Sequence, residues 1–254
     1  MTMVQPIRFA KQNRSMKLCY TQLSRQPLYI LVFLLPLVLF YEFALYSKGS
    51  AIQIKAHDHL VRFFEAFDIP PTQGLWLGGI AILTILLLWH IFEGNRWSIK
   101  LRVIFFMALE SIAFAIPLLL FGAVLGSITA ATVSSPIANL TIFNKIAVSI
   151  GAGLYEELVF RMLLIALVHT VVCNVFKQSN IAGLTAGVVI SALLFALYHD
   201  LPNAGSLSGV TLFFYSVAGV FLGILYISRG FGIAAATHAA YDVVATSLLA
   251  TLAT

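Results

Sequence analysis

The sequence predicts an all-α protein: a polytopic bundle of about seven transmembrane helices (six to eight) around a polar intramembrane site. Three observations lead there. Of the 254 residues, 60% are hydrophobic and only 10% are charged, against roughly 25% charged in ordinary soluble domains. A water-facing globule of that composition would lack polar residues to cover its surface. Apolar runs of about 20 residues, the length that crosses a bilayer as a helix, recur along the chain. Finally, four of the five charged residues that stand out inside those runs lie, with two histidines, in the last 100 residues.

The chain opens with a basic leader, residues 1–26, carrying Arg8, Lys11, Arg14, Lys17 and Arg25 and no acid. A long basic region with no small-residue cleavage site after the next apolar stretch is a poor match to a cleaved signal peptide. The leader is expected on the cytoplasmic side, ahead of a first anchor helix. The candidate spans are Pro27–Tyr46, Gly74–Phe92, Leu101–Leu125, Phe143–Phe176, Ile181–Tyr198, Leu207–Ser228 and Gly232–Leu252. The fourth is too long for one straight crossing and calls for a tilt, a break or an interfacial start. Between spans one and two, Lys48–Pro71 mixes Lys55, His57, Asp58, Arg62 and Glu65 with Leu60, Val61, Phe63, Phe64 and Phe67. That pattern predicts a short interfacial amphipathic helix. The loop Gly126–Thr141 has no Lys or Arg. The chain divides into the leader, spans one to three (27–141) and a core of spans four to seven (142–254), all within one domain.

Basic residues follow spans two (Arg96, Lys100, Arg102), four (Lys177) and six (Arg229), as well as filling the leader. The positive-inside rule then puts the N-terminus in the cytoplasm and the C-terminus outside. Lys48, Lys55 and Arg62 run against it. The basic surplus, fifteen Lys+Arg against ten Asp+Glu, fits loop topology and anionic lipid, not nucleic acid. Cys19 and Cys173 have neither a metal spacing nor a disulfide framework.

A charge at the bilayer centre costs roughly 2.5–3.5 kcal/mol on insertion scales, so each buried ionisable residue wants a reason. Glu110, Glu156, Glu157, Arg161 and Asp242 stand out, with His199 and His238. In span four, Glu157 and Arg161 are one helical turn apart and can pair, while Glu156 is rotated about 100° away and stays free for proton transfer. Phe195 and His199 share a face at the end of span five. His238 and Asp242 do the same in span seven. Counted from the presumed inner ends, Glu156 and His199 lie roughly 30 and 27 Å along their spans, but His238 and Asp242 only about 10–15 Å. They meet only if span seven starts deeper or span four is tilted or broken.

A glutamate, two histidines and an aspartate around a polar cavity can do acid–base chemistry on water. The acid takes a proton from water and returns it to a leaving amine, and a pair on another helix steadies a developing oxyanion. The order Glu-Glu-x-x-x-Arg (156–161), Phe-x-x-x-His (195–199), His-x-x-x-Asn/Asp (238–242) on successive helices resembles the CPBP family. That family includes CAAX prenyl-protease type enzymes, bacteriocin-processing and self-immunity proteins, and glutamic-type intramembrane proteases. The resemblance covers roughly Lys145 to the C-terminus. It implies that Glu156 activates water with help from His199, that His238 and Asp242 line the oxyanion side, and that Glu157, Arg161 and Phe195 support them. Many members carry asparagine where this chain has Asp242; an ionised Asp242 would repel an oxyanion, so it must be protonated, bond to His238 or play another role. No cofactor is expected. Zinc ligation by Glu156, His199, His238 and Asp242 is the alternative, without a His-Glu-x-x-His pattern behind it.

The function so implied is intramembrane endopeptidase activity on a membrane-tethered or lipidated protein, in an inner (cytoplasmic) membrane of bacterial type. The partners are that substrate and the lipid bilayer. Two other classes remain open at this point: a non-catalytic scaffold or self-immunity protein that binds a peptide or partner, and a proton-coupled transporter. Outside the motifs, Glu110 is expected to pack with a polar partner, Glu42 and His90 to reach the interface, and His169 to be a hydrogen-bonded core residue. Gly151, Gly153, Gly183 and Gly187 are expected to permit close helix packing.

Overall fold

Inside a bilayer the backbone has no water to bond, so each crossing segment closes its hydrogen bonds internally as helix. The computed structural model describes residues 19–48, 71–129, 140–200 and 209–249, and among them every regular element is helical. In chain order these are α1 (Tyr20–Ser24), α2 (Pro27–Lys48), α3 (Pro71–Glu93), α4 (Leu101–Thr129), α5 (Ile142–Val175), α6 (Asn180–Asp200), α7 (Gly209–Arg229) and α8 (Phe231–Val243, continued by Val244–Leu249). Helices α2 and α4–α7 each contain a stretch long and apolar enough to cross a membrane, and Gly78–Glu93 of α3 is a shorter apolar helix. The seven expected spans therefore all appear as helices, and the protein is an integral membrane bundle. Most of the leader, the expected interfacial helix between spans one and two, and most of the Gly126–Thr141 loop lie outside the described residues.

The apolar surface faces outward. Phe43, Phe92, Leu101, Leu120, Leu167 and Ile181 are all more than half exposed, as lipid-facing side chains should be. The centre is α8, whose residues Phe231–Ala239 are all buried and which packs on α2, α4, α5 and α7. It enters through a one-residue joint after α7. Gly230 has φ +91°, a conformation that a side chain disfavours, and this lets the chain reverse between Arg229 and Phe231.

Two polar clusters pin the outer helices. Glu110 of α4 accepts hydrogen bonds from Tyr20 of α1 and from Nε and Nη2 of Arg229 at the end of α7, so it does have its expected polar partners. Burial and the Glu110 carboxylate push the Tyr20 phenol above its ordinary value, which keeps it a donor. Glu42 of α2, expected at the interface, is instead buried. Its Oε1 accepts from Tyr155 Oη of α5 at 2.9 Å and from the Gly79 amide of α3 at 3.1 Å. The reason is that Gly78 and Gly79 let α3 approach: a Cβ at Gly79 would stand 2.4 Å from Glu42 Oε1. His90 is likewise buried, its ring edge-on to Trp97 at 4.5 Å. Trp97 covers it in place of the interface. His169 is part-buried, with Nε2 3.5 Å from Cys173 Sγ.

Candidate active site

The site forms where α5, α6 and α8 converge. Close approach of α5 and α8 depends on Gly153, where a Cβ would lie 2.6 Å from the Ala235 carbonyl oxygen and 2.7 Å from the Ala239 amide nitrogen. Only a residue without a side chain allows backbone this near. Directly after Glu157 the helix widens into a π-helical stretch, Leu158–Ile165, of the kind often found at functional sites. Ser191 of α6 donates to the Phe160 carbonyl within it at 2.7 Å. A second such stretch, Val244–Leu249, follows Asp242 in α8. The two helices that carry the acidic motif residues, α5 and α8, therefore leave regular α geometry next to them.

The side chains meet in a small network. His199 Nε2 lies 3.5 Å from Glu156 Oε2, and His238 Nε2 lies 3.9 Å from the same oxygen. His199 Nδ1 faces the Phe195 carbonyl at 2.9 Å. A carbonyl only accepts, so Nδ1 carries a proton and Nε2 is the ring nitrogen that faces the site. His238 Nδ1 is 2.9 Å from Glu157 Oε1, and its Nε2 is 3.5 Å from Asp242 Oδ2. Glu157 also pairs with Arg161, Nη1 to Oε1, at 3.1 Å with both side chains fully buried. The Arg161 guanidinium sits 4.3 Å from the centroid of the Phe195 ring, a cation–π contact strengthened by exclusion of water. Glu156 Oε2 is buried and has no hydrogen-bond partner among the described residues, while two imidazoles face it.

Each residue picked from the motifs is thus part of one cluster. The depth mismatch expected for His238 and Asp242 is absent. The reason is length: α5 runs 34 residues, about 51 Å at 1.5 Å per residue, against a hydrocarbon core of about 30 Å. Depth counted from its end overshoots. Tyr215 of α7 went unseen in the sequence. Its ring stacks on His199, centroids 4.0 Å apart and planes 19° from parallel. It lies in an apolar aromatic run, Phe213-Phe214-Tyr215, and nothing in that run separates it from packing. Ser191 and Thr246, which donates to the Asp242 carbonyl at 2.7 Å, were equally silent. Among the described residues, no group of three or more His, Cys, Asp or Glu side chains is arranged to hold a metal ion.

Comparison with known proteins finds one family match, over part of the chain. Residues 138–244 match the family model described as type II CAAX prenyl endopeptidase Rce1-like. Over this segment the chain is similar to that family. The match spans all three motifs and bears out the resemblance to the CPBP family, and it supports CAAX-type protease activity in the membrane. No curated protein and no solved structure gives a significant match. The matched segment takes in α5, α6, α7 and α8 through Val244, and the family model does not cover α1–α4.

Proposed function

We propose that the protein is an intramembrane endopeptidase that hydrolyses a peptide bond of a membrane-tethered or lipidated protein with water activated by Glu156 and His199. The single observation that carries this reading is Glu156 Oε2, buried and without a hydrogen-bond donor among the described residues, with the Nε2 atoms of His199 and His238 turned toward it at 3.5 and 3.9 Å. A carboxylate so placed holds a water molecule against a substrate carbonyl.

In the proposed step, Glu156 takes a proton from water, and the oxygen bonds to the carbonyl carbon as the carbonyl electron pair moves onto oxygen. His199, with Nδ1 fixed by the Phe195 carbonyl, shares that proton through Nε2. His238 acts as an imidazolium. Its Nδ1–H is held by Glu157, and its Nε2–H turns to the oxyanion, where a preorganised donor acts most strongly. The tetrahedral carbon then expels the amine, which takes the proton back from Glu156. No covalent enzyme intermediate is needed. Asp242 supports the reaction by orienting His238, its Oδ2 lying 3.5 Å from the same Nε2, and not by donating to the oxyanion. Glu157, Arg161 and Phe195 position the two imidazoles. The chemistry is proposed to need no metal.

The test is cleavage of membrane-anchored peptides by purified protein, using prenylated, precursor and transmembrane types, with wild type, Glu156→Gln and His199→Ala, with and without a chelator. The expected result is wild-type cleavage indifferent to chelator and abolished by both substitutions. Cleavage lost with chelator would replace this scheme with a metal mechanism. Cleavage that survives both substitutions would place the site elsewhere.

A further inference from the structure

Glu42 of α2 is an ionisable side chain buried within a membrane-crossing helix, and the proposed reaction does not use it. A carboxyl group in such a place is costly and wants a reason. The two groups that reach its Oε1, Tyr155 Oη of α5 at 2.9 Å and the Gly79 amide of α3 at 3.1 Å, are neutral, so neither is a counter-charge. One oxygen thus joins three helices at Tyr155, the residue before Glu156. The Tyr155 ring is confined on other sides as well. Its centroid lies 5.3 Å from that of Tyr41, and a Cβ at Gly78 would stand 2.6 Å from Tyr155 Cε1. Tyr41 in turn packs on Gly151, one turn earlier in α5, where a Cβ would run into its ring.

Successive residues of a helix point about 100° apart. Tyr155 meets α2 and α3, while Glu156 meets α6 and α8, where the Nε2 atoms of His199 and His238 lie 3.5 and 3.9 Å from its Oε2. Tyr155 is therefore a pin on the back of the turn whose front carries Glu156. Directly after Glu157 the helix is π-helical, a register that regular α bonding does not impose, so side-chain anchors decide how this turn is rotated. A helix with its side chains is about 10–12 Å across, so a roll of about 10° carries a side-chain tip about 1 Å. A misplacement of that size costs about 100-fold in rate.

We propose that Glu42 is a positioning residue for the Glu156 site: through Tyr155 it sets the rotation of α5 about its axis, and so the place of the Glu156 carboxylate between His199 and His238. The inference rests on the hydrolytic reading above for what it says of rate. It adds to the machinery a residue of α2, outside the segment that matches the family model.

The experiment uses full-length protein in phosphatidylcholine nanodiscs, as wild type, Glu42→Gln, Glu42→Leu, Tyr155→Phe and the double variant Glu42→Leu with Tyr155→Phe. All are assayed well below their melting temperatures. The first readout is kcat and KM on the best-cleaved peptide. Glu42→Leu should lower kcat about 100-fold with KM within about twofold of wild type. Tyr155→Phe should reproduce most of that loss, and the double variant should be no worse than Glu42→Leu, because both act through one contact. Glu42→Gln keeps an oxygen that accepts from both donors and should retain most of the activity. The second readout does not depend on cleavage: the rate at which dicyclohexylcarbodiimide, a lipid-soluble carboxyl reagent, labels Glu156, followed by peptide mass spectrometry with Glu110 as the internal reference. That rate should change in Glu42→Leu and match wild type in Glu42→Gln. Unchanged kcat and labelling in Glu42→Leu, a loss confined to KM, or a Glu42→Gln variant as impaired as Glu42→Leu overturns the proposal. If Glu42→Leu fails to fold, a wild-type kcat in Tyr155→Phe overturns it equally. The expected labelling pattern in a protein that cleaves nothing would sink the hydrolytic reading alone, whereas cleavage indifferent to Glu42→Leu would sink only the role of Glu42.

Discussion

Removing Arg161 should destabilise the protein far more than removing Arg161 and Glu157 together. The two side chains are fully buried with Nη1 3.1 Å from Oε1. At an effective dielectric of about 20, that separation corresponds to about 5 kcal/mol of attraction, and breaking one half of a buried pair costs about 3–5 kcal/mol because the other charge is stranded. Arg161→Met should therefore lower the unfolding free energy by about 3–5 kcal/mol. Arg161→Met with Glu157→Leu should recover most of it, since a neutral pair of similar volume needs no counter-charge and His238 keeps the Asp242 carboxylate 3.5 Å from Nε2. Activity should not follow stability: the double variant takes away the Oε1 that holds His238 Nδ1 at 2.9 Å, so cleavage should stay at least 100-fold down, the scale of a catalytic group misplaced by about 1 Å. Equilibrium unfolding in mixed micelles gives the coupling, and cleavage assays on the same samples give the activity. Additive losses in the double variant would show that the pair is not energetically coupled. Recovery of activity with stability would remove Glu157 from any part in positioning His238.

Other sites give sharper or milder outcomes. Asp242→Asn should keep cleavage within about tenfold of wild type because the amide oxygen can still accept from His238, while Asp242→Ala should lose roughly 100-fold or more; steady-state rates distinguish them. Gly153→Val drives a side chain into the Ala235 and Ala239 backbone and should cost about 1–3 kcal/mol of stability. Gly183→Ala, facing the movable Cys173 sulfur at 2.6 Å, should cost less, and melting temperatures rank the two. Tyr155→Phe strips one of the two donors that reach Glu42 Oε1, the other being the Gly79 amide, and should destabilise by about 1–3 kcal/mol, read by unfolding. Tyr215→Leu removes the ring stacked on His199 and should lower kcat two- to tenfold, from a stacking worth about 0.5–1.5 kcal/mol, with KM little changed.

Much of this architecture was legible in the residue order because the bilayer restricts the options. Once apolar length demands a crossing helix, the span boundaries follow from where charge and glycine resume, as at Glu93, Lys177 and Arg229. The site was legible for a related reason: Glu156, Glu157, Arg161, His199, His238 and Asp242 are expensive in lipid, and cost makes them visible. Two residues of the same kind were misplaced. Glu42 and His90 sit near helix ends, where a side chain can reach the interface, and only the approach of α3 and the position of Trp97 show that they turn inward. Tyr215, Ser191 and Thr246 carry no charge and cost little to bury, so no sequence pattern marks them. The π-helical stretches after Glu157 and Asp242 left no trace either, since the hydrogen bonds that define them are a matter of helix packing and not of composition.

The most direct test of the central claim is the single-turnover rate of Glu156→Gln against wild type on the best-cleaved peptide at saturating enzyme. Glutamine keeps the size of the side chain and removes its capacity to take a proton from water. The account predicts unchanged binding, a melting temperature close to wild type and a rate at least 1000-fold lower, within the range of about 10²–10⁴ for loss of a general base. A rate within tenfold of wild type would contradict it, because the proton would then have another acceptor and Glu156 would not activate the water.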